Sequence, residues 1–281
     1  MTCRIRILCD NSAGPFSGTL GEHGFAAMIE RDGESILFDT GGGQTLLINA
    51  QRMNLDLRGV RTVVLSHGHY DHVGGLWPLL QNCGPKRVLA HPGVFARRYS
   101  CREGVRRSVG MPYAEDFLTG MGASFSYSDA FRELAPGIFL TGEVPRLTAF
   151  EKGDAGLYCD LSGSQKDHVP DDQSLVMATE KGLVLLLGCC HAGVVNTVEH
   201  ARQKTGVDEL YAVIGGCHLA FSSPEQTEAT VKALRRYGVK KICAGHCTGF
   251  EASARLAREF AGGFRPAHVG YTLEFKSVRS L

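Results

Sequence analysis

The chain has 281 residues, and its 30 lysines and arginines against 29 aspartates and glutamates give a formal net charge of +1. This balance excludes both an acidic tail and the strongly basic surface of a general nucleic-acid binder, so we expect no nucleic-acid partner. Hydrophobic residues make up 43% and charged residues 21%, a composition typical of a folded globular chain rather than a disordered one.

The N-terminal segment and the cysteines indicate a compartment. The first ten residues alternate apolar and charged side chains as a strand does, and they lack the apolar core and cleavage site of a signal peptide. No apolar run approaches the roughly 18 residues of a membrane span. Ten cysteines without a Cys-x-x-Cys pair favour neither a disulfide scaffold nor a zinc ribbon. We therefore predict a cytoplasmic protein with no membrane partner.

Short apolar runs that end at glycine, histidine or aspartate predict the remaining strands. The runs at 25–29 and 35–38 flank the turn Asp32-Gly33 and predict a hairpin. Runs of the same type predict strands at 62–65, 87–90, 137–141, 174–179, 183–187, 210–214 and 241–244. Strands adjoin one another before residue 179, whereas strands and helices alternate after residue 183. This order predicts a mixed α/β sandwich rather than one doubly wound sheet.

The clearest helix is predicted to begin at Ser223-Pro224. Serine is a preferred cap, proline suits the first helical position, and Gln226 completes a capping box. The helix then places Val231, Leu234 and Tyr237 on one apolar stripe.

The least regular part of the chain, rich in glycine, serine and aspartate, lies at about residues 97–172. We predict one domain over residues 1–281, in which this region is an irregular insertion or lid. It contains a cluster of five arginines, namely Arg97, Arg98, Arg102, Arg106 and Arg107. The cluster has two interpretations, a solvated face or a lid that grips an anion.

Four potential metal ligands, His67, His69, Asp71 and His72, lie within six residues directly after a predicted strand. The two-residue period of an extended chain puts His67 and His69 on the same side. The start of the following helix turns Asp71 and His72 towards a second point nearby. One loop thus offers two ligands to each of two metals, and imidazole and carboxylate suit zinc, iron and manganese. The sequence predicts one or two divalent metal ions, with zinc first among the three.

Further ligands are expected at the ends of other strands. His191, His218 and His246 each follow an apolar run beside glycines, and the carboxyl ends of such strands meet at one rim of a sheet. The remaining histidines give weaker signals. His200 lies in a helical stretch, and we expect it at the surface.

The His-x-His-x-Asp-His run resembles the signature of the metallo-β-lactamase fold superfamily, a four-layer αββα sandwich of the α/β class (α+β in some schemes). The resemblance implies a dinuclear metal site at one edge, with His246 as the last ligand. It also implies that Asp39, in the segment 36–41, supports the metal loop from outside the ligand sphere.

A narrower set of motifs resembles one branch of that superfamily, which contains the archaeal dihydropterin ribofuranosyl-aminobenzene phosphate synthase-like proteins. The motifs lie at residues 22–24, 142–146, 171–175, 188–193, 215–219 and 246–249. On this basis His23, Arg146, His218 and Thr248 are the candidates for substrate binding. Thr248 and the amides of its glycine-rich loop are expected to receive a phosphate.

The sequence departs from the superfamily pattern after the strand at 182–188. The usual member has Gly-Asp there, with the aspartate bridging both metals, whereas this chain has Cys189-Cys190-His191. Either His191 or a thiolate takes the place of the aspartate, or solvent alone bridges the metals. A site that binds only one metal is a further alternative. His168 lies six residues before Ser174, at the spacing of the family's third histidine, which would leave the bridging position to His191. We predict His191 as a ligand and keep His168 as the alternative.

The leading functional hypothesis is a metal-dependent hydrolase that acts on a small, phosphate-bearing anion. Asp71 would bind the second metal and orient the nucleophile, and His218 would donate a proton to the leaving group or hold an oxyanion. The resemblance implies a second reaction, in which a pyrophosphorylated pterin is joined to an arylamine. The missing aspartate motivates a third, a non-catalytic metal- or ligand-binding protein. The oligomeric state is not indicated.

Overall fold

The computed structural model describes residues 2–278, and its strands include those that the apolar runs predict. In chain order the strands are β1 (Thr2–Cys9), β2 (Ala26–Arg31), β3 (Glu34–Phe38), β4 (Thr62–Val64), β5 (Lys86–Ala90), β6 (Tyr99–Arg102), β7 (Val105–Ser108), β8 (Ala123–Tyr127), β9 (Arg132–Ala135), β10 (Ile138–Leu140), β11 (Leu157–Tyr158), β12 (Leu175–Thr179), β13 (Gly182–Leu187), β14 (Leu210–Gly216), β15 (Lys241–Gly245), β16 (Phe264–Pro266) and β17 (Thr272–Lys276). The helices are α1 (Leu46–Arg52), α2 (Tyr70–Val73), α3 (Leu76–Cys83), α4 (Glu115–Gly120), α5 (Val194–Thr205), α6 (Pro224–Arg236) and α7 (Phe250–Glu259).

The strands form two large sheets and one small one. The first sheet has the order β17-β1-β2-β3-β4-β5-β8, and the second has the order β16-β15-β14-β13-β12-β10-β9. Strands β3, β4, β5 and β8 are parallel to one another, as are β13, β14, β15 and β16. Helices cross between most of these parallel strands, as such connections require.

The two large sheets pack face to face, and helices cover their outer faces. Strand β13 shows why. Its even-numbered Val184 and Leu186 enter the core between the sheets, while Leu183, Leu185 and Leu187 pack under the outer helices α5, α6 and α7. Because both faces of β13 are buried, its sequence is a continuous apolar run. Helices α1, α3 and α4 cover the first sheet in the same way. The predicted αββα sandwich is confirmed.

Helix α6 begins as its sequence predicts. The Ser223 hydroxyl accepts a hydrogen bond from the Gln226 amide at 3.3 Å, and Pro224 takes the first helical position. Val231 and Leu234 are buried beneath the helix, and Tyr237 packs beside them. Among the helices of residues 2–278, none has the length and apolarity needed to cross a membrane.

The region at 97–172 is divided among all three sheets. Strand β8 belongs to the first large sheet, and β9 and β10 belong to the second. The small sheet, with the order β11-β6-β7, is the part that stands apart from the sandwich. It is tied to the start of α2 by a hydrogen bond from the Tyr70 amide to the Val109 carbonyl at 3.0 Å.

The parallel strands place the chemically important loops at one rim. Asp39 follows β3 and His67 follows β4 in the first sheet, while Cys189, His218 and His246 follow β13, β14 and β15 in the second. The carboxyl ends of parallel strands meet at the same sheet edge. Segments that are far apart in the sequence therefore converge there.

Candidate metal centre

The loop after β4 carries the first cluster of donors. His67 and His69 lie on the loop itself, and Asp71 and His72 lie on the single turn of α2. All four side chains are buried, with residue exposures of 0–6%. Buried polar groups of this kind need partners or a ligand.

The backbone of this loop is held by a buried ion-pair network. The Gly68 amide donates to Asp171 Oδ2 at 2.8 Å, and a Cβ at Gly68 would lie 2.0 Å from the Val94 carbonyl oxygen, so a larger residue does not fit. Arg98, only 2% exposed, donates to Asp171 Oδ1 at 2.5 Å and to Asp167 Oδ2 at 2.9 Å. Neither interpretation of the arginine cluster holds for Arg98, because it pairs with carboxylates inside the protein.

The first set of metal donors consists of His67, Cys189 and His191. One donor atom from each lies within 4.8 Å of the others, and all three residues are buried. The His69 ring lies against this set, with its centroid 4.5 Å from the His67 ring and 4.9 Å from the His191 ring. The structure thus brings together three of the predicted histidine ligands and a thiol.

A second set consists of His72, Cys189 and His246. His72 Nε2 lies 3.2 Å from both Cys189 Sγ and His246 Nε2. Asp71 Oδ2 lies 3.3 Å from His246 Nε2 and 3.3 Å from His23 Nε2, so His23, Asp71 and His246 form an adjoining group. Cys189 is therefore common to both sets, and His191 belongs to the first.

The chemistry of these donors fits divalent metal ions. Burial lowers the pKa of His67 and His191 well below the usual range and that of His69 to about 3, so the three rings are neutral, which is the form that binds metal. His69 Nε2 and both ring nitrogens of His191 are buried and have no hydrogen-bond partner among the residues described. Leaving such groups unsatisfied costs about 1–3 kcal/mol each, whereas metal coordination would satisfy them.

Asp39, predicted to support the metal ligands from outside, contacts His72 of the second set. This fully buried carboxylate accepts from the Ser66 amide and the Ser66 hydroxyl, both at 2.7 Å, and pairs with His72 Nδ1 at 2.7 Å. Burial alone would lower the pKa of His72, but the charges of Asp39 and Asp71 raise it to about 9. A carboxylate behind a histidine fixes the ring and its tautomer so that Nε2 faces the metal position.

His218 lies beside the first set and pairs with a residue that the sequence did not reveal. Its ring centroid is 4.1 Å from that of His191, and its Nε2 lies 3.1 Å from Asp154 Oδ2. Burial would lower the pKa of His218, but the bond to Asp154 and the neighbouring Cys247 raise it to about 9. Asp154 lies in an irregular loop with no motif around it, so no pattern in the sequence marks it. Cys247 adjoins His246, and its thiol forms a third donor group with Cys189 and His218.

The donors open onto a cleft of about 200 Å³. The small sheet forms one wall with Leu157, Arg102 and Arg107, and Phe221 and Tyr70 are also part of the lining. The Arg102 guanidinium lies 4.0 Å from the centre of the Phe221 ring and also pairs with Asp154. Two cations and two aromatic rings thus line the cleft together with the candidate metal ligands.

Thr248 and Arg146, both predicted to bind substrate, are not among the residues that line this cleft. The Thr248 side chain is fully buried, and its hydroxyl accepts a hydrogen bond from the Cys217 amide at 3.1 Å. Arg146 donates to the carbonyl oxygens of His191 at 2.7 Å and His168 at 2.5 Å. Both residues support the loops of the centre from behind.

The sequence predicts roles for two other histidines, His168 as an alternative metal ligand and His200 as a surface residue. The His168 side chain is exposed and belongs to none of the donor groups found in residues 2–278. His200 is only 8% exposed, and its Nε2 lies 3.2 Å from the Thr141 carbonyl oxygen. The expectation that His200 is at the surface is wrong, because this face of α5 packs against the end of β10.

The chain is similar to known proteins over most of its length. The sequence profile of the family described as the metallo-beta-lactamase superfamily matches residues 20–246. A 7,8-dihydropterin-6-methyl-4-(beta-D-ribofuranosyl)-aminobenzene-5'-phosphate synthase of Methanocaldococcus jannaschii is 33% identical, covering 97% of this chain and 96% of that protein. An uncharacterized protein of the same organism is 31% identical, covering 95% and 98%. A crystal structure described as a metal-dependent hydrolase of the beta-lactamase superfamily superposes with a TM-score of 0.83 at 32% identity, covering 98% and 99%.

Proposed function

The chain belongs to the metallo-beta-lactamase superfamily and is an enzyme, and from this premise we propose that it is a metal-dependent hydrolase of a small phosphate-bearing molecule. The observation that carries the proposal is the pair of donor sets that share Cys189 at the floor of a cleft with Arg102 and Arg107 at its entrance. Its status as an enzyme argues against the alternative of a non-catalytic binding protein.

The residues that would hold the metals are those of the two sets together with His69 and Asp71, which lie beside them. His67, His69 and His191 would hold one ion, Asp71, His72 and His246 would hold the other, and Cys189 belongs to both sets. Zinc, iron or manganese suits such donors. When bound, the metal ions would polarise a phosphoryl group and lower the pKa of a water molecule to about 7.

The residues of the chain supply binding and proton transfer. Arg102 and Arg107 attract the anionic end of the substrate, since guanidinium groups bind phosphate oxygens strongly. The Asp71 carboxylate, held by His23 and His246, faces the cleft and accepts a hydrogen bond from the attacking nucleophile.

His218 is placed to act as the acid. Its pKa is raised to about 9, chiefly by the bond to Asp154 that opposes the effect of burial, so it carries a proton at neutral pH. Its Nδ1 has no hydrogen-bond partner in the part of the chain that is described. A buried imidazolium with one nitrogen held by a carboxylate and the other open can donate a proton to a leaving-group oxygen.

The test is a hydrolysis screen on metal-free protein reconstituted separately with Zn²⁺, Mn²⁺ and Fe²⁺. Phosphomonoesters, phosphodiesters and thioesters are the substrates. We expect hydrolysis of a phosphoester that is lost in His67→Ala but retained in His168→Ala, because His168 lies outside the donor groups. If the reconstituted protein hydrolyses none of these compounds above the level of His67→Ala, hydrolysis is wrong.

A second candidate reaction is favoured by the synthase of M. jannaschii, which aligns over nearly the whole of both chains. In this reaction an arylamine nitrogen attacks the methyl carbon of a pyrophosphorylated dihydropterin. The new C–N bond forms, the C–O bond to pyrophosphate breaks, and the nitrogen loses a proton. Arg102 and Arg107 would bind the pyrophosphate, and Phe221 offers an aromatic face to the pterin. Release of pyrophosphate that requires the arylamine would support joining over hydrolysis.

A further inference from the structure

We propose that the Cys189 thiolate is the ligand shared by the two metal positions, so that this centre is bridged by sulfur instead of a carboxylate. The inference rests on metal binding as given in the proposed function, but it is independent of which reaction the enzyme catalyses.

The position of the sulfur carries the proposal. Cys189 Sγ is a member of the set with His67 and His191 and also of the set with His72 and His246. It lies 3.2 Å from His72 Nε2, and all five residues are buried. Among the donor groups found in residues 2–278, no other side chain is common to both of these sets.

His191 gives independent support for a ligand at this point. It is 4% exposed, and neither of its ring nitrogens has a hydrogen-bond partner among the described residues. Its ring packs between those of His67, His69 and His218. A buried imidazole with both nitrogens unsatisfied next to a thiol is the arrangement that a metal ion completes.

The distribution of charge points the same way. Asp71 is the carboxylate of the donor groups, and it lies on the side of His23 and His246. The set with His67 and His191 contains two imidazoles and a thiol but no carboxylate. Two divalent ions carry four positive charges, so an anionic ligand between them reduces their mutual repulsion. Cys189 is the residue that can place a negative charge there.

The other cysteine of the pair serves a different purpose. The Cys190 thiol lies 3.3 Å from the Thr197 hydroxyl and packs in the core beneath α5. It belongs to none of the donor groups. Cys190→Ser is therefore a matched control, since it removes a buried thiol one residue away from the proposed ligand.

The experiment uses Co²⁺ alone as the probe on full-length, metal-free protein. A thiolate bound to Co²⁺ gives a charge-transfer band in the near ultraviolet. We expect two equivalents of Co²⁺ and this band in the wild type and in Cys190→Ser. In Cys189→Ser we expect the band to be lost and the affinity for Co²⁺ to fall about tenfold or more, in line with the weakening seen when metal-site partners are removed. Cys189→Asp should recover two equivalents without the band, which also shows that the variant folds.

Two results would overturn the proposal. Either the band persists in Cys189→Ser, whether or not it is lost in Cys247→Ser, or the wild type binds two equivalents of Co²⁺ without a band. The last result would leave solvent as the bridge and the proposed function intact. If the wild type binds no Co²⁺ at all, both this inference and the proposed function are wrong. Two bound equivalents with a Cys189-dependent band but no hydrolysis would instead reject only the reaction.

Discussion

Replacing Arg98 by methionine tests whether a buried ion pair holds the metal loop in place. Arg98 is 2% exposed and donates to carboxylate oxygens of Asp167 and Asp171. Asp171 in turn accepts from the Gly68 amide between His67 and His69. The Arg98→Met variant keeps much of the side-chain volume but leaves two buried carboxylates without their cation.

The expected loss follows from burial. Removing one partner of a buried ion pair destabilises a protein by about 3–5 kcal/mol, because the remaining charge stays uncompensated. Burial already raises the pKa of Asp171 above its usual value, against the effect of Arg98, and loss of Arg98 raises it further. A carboxyl with a raised pKa in the folded state destabilises the protein at high pH, and this penalty disappears as the pH falls and the group binds a proton. Arg98→Met should therefore lose less unfolding free energy at pH 5 than at pH 8.

Urea unfolding of wild type and variants at the two pH values measures the effect. Arg107→Met is the control, because Arg107 belongs to the same cluster but is exposed, and it should change the stability by no more than about 0.5 kcal/mol. Adding Asp171→Asn to Arg98→Met should recover part of the loss, since one buried charge is gone and the oxygen for the Gly68 amide is kept. A loss below about 1 kcal/mol in Arg98→Met, or an equal loss at both pH values, would refute the reasoning.

Three further predictions concern the metals, the loop and the entrance. Chelation should lower the calorimetric unfolding temperature, and Zn²⁺ should restore it. Free Zn²⁺ at a hundred times its Kd should raise the free energy of unfolding by about 2.7 kcal/mol. An unchanged unfolding temperature would argue against a metal centre. Gly68→Ala should lower the free energy of unfolding in urea by about 1–3 kcal/mol through overpacking. Gly59→Ala is the control, because its Cβ would lie 3.7 Å from the nearest atom, and its stability should change little. Equal losses of stability in the two variants would contradict the close approach at Gly68. Arg107→Ala should weaken inhibition by inorganic phosphate up to about fivefold, the equivalent of a 1 kcal/mol ion pair, while Arg97→Ala, outside the cleft lining, should not; equal inhibition constants would count against Arg107.

Much of the fold could be predicted because burial produces simple sequence patterns. Strand β13 is buried on both faces and consists of apolar residues, and the hairpin of β2 and β3 turns at Asp32-Gly33. Helix α6 carries its start signal in Ser223-Pro224. Patterns of this kind depend on local geometry, so one sequence is enough to find them.

Side chains whose role depends on a distant partner could not be predicted. Arg98 and Arg107 are nine residues apart in one basic cluster, yet one pairs with buried carboxylates and the other lines the cleft. Nothing in their neighbours distinguishes them, because Asp167 and Asp171 approach Arg98 through the tertiary fold. The same applies to Asp154, which meets His218 from a loop 64 residues away, and to Thr248, whose glycine-rich surroundings suggested a phosphate site.

The backbone at the rim has a feature that the spacing of residues in the sequence does not reveal. Asp39, Cys190, His218 and His246 adopt positive φ angles of 48–61°, a conformation that costs a residue with a Cβ roughly 1–3 kcal/mol and persists only where the surroundings impose it. Each of these residues lies within a few positions of the end of a parallel strand. These residues stand where the chain leaves the strands and enters the loops that carry the donor atoms. Sequence patterns reveal where strands end but not this backbone conformation. The sharing of Cys189 between two donor sets therefore follows from the three-dimensional path of the chain.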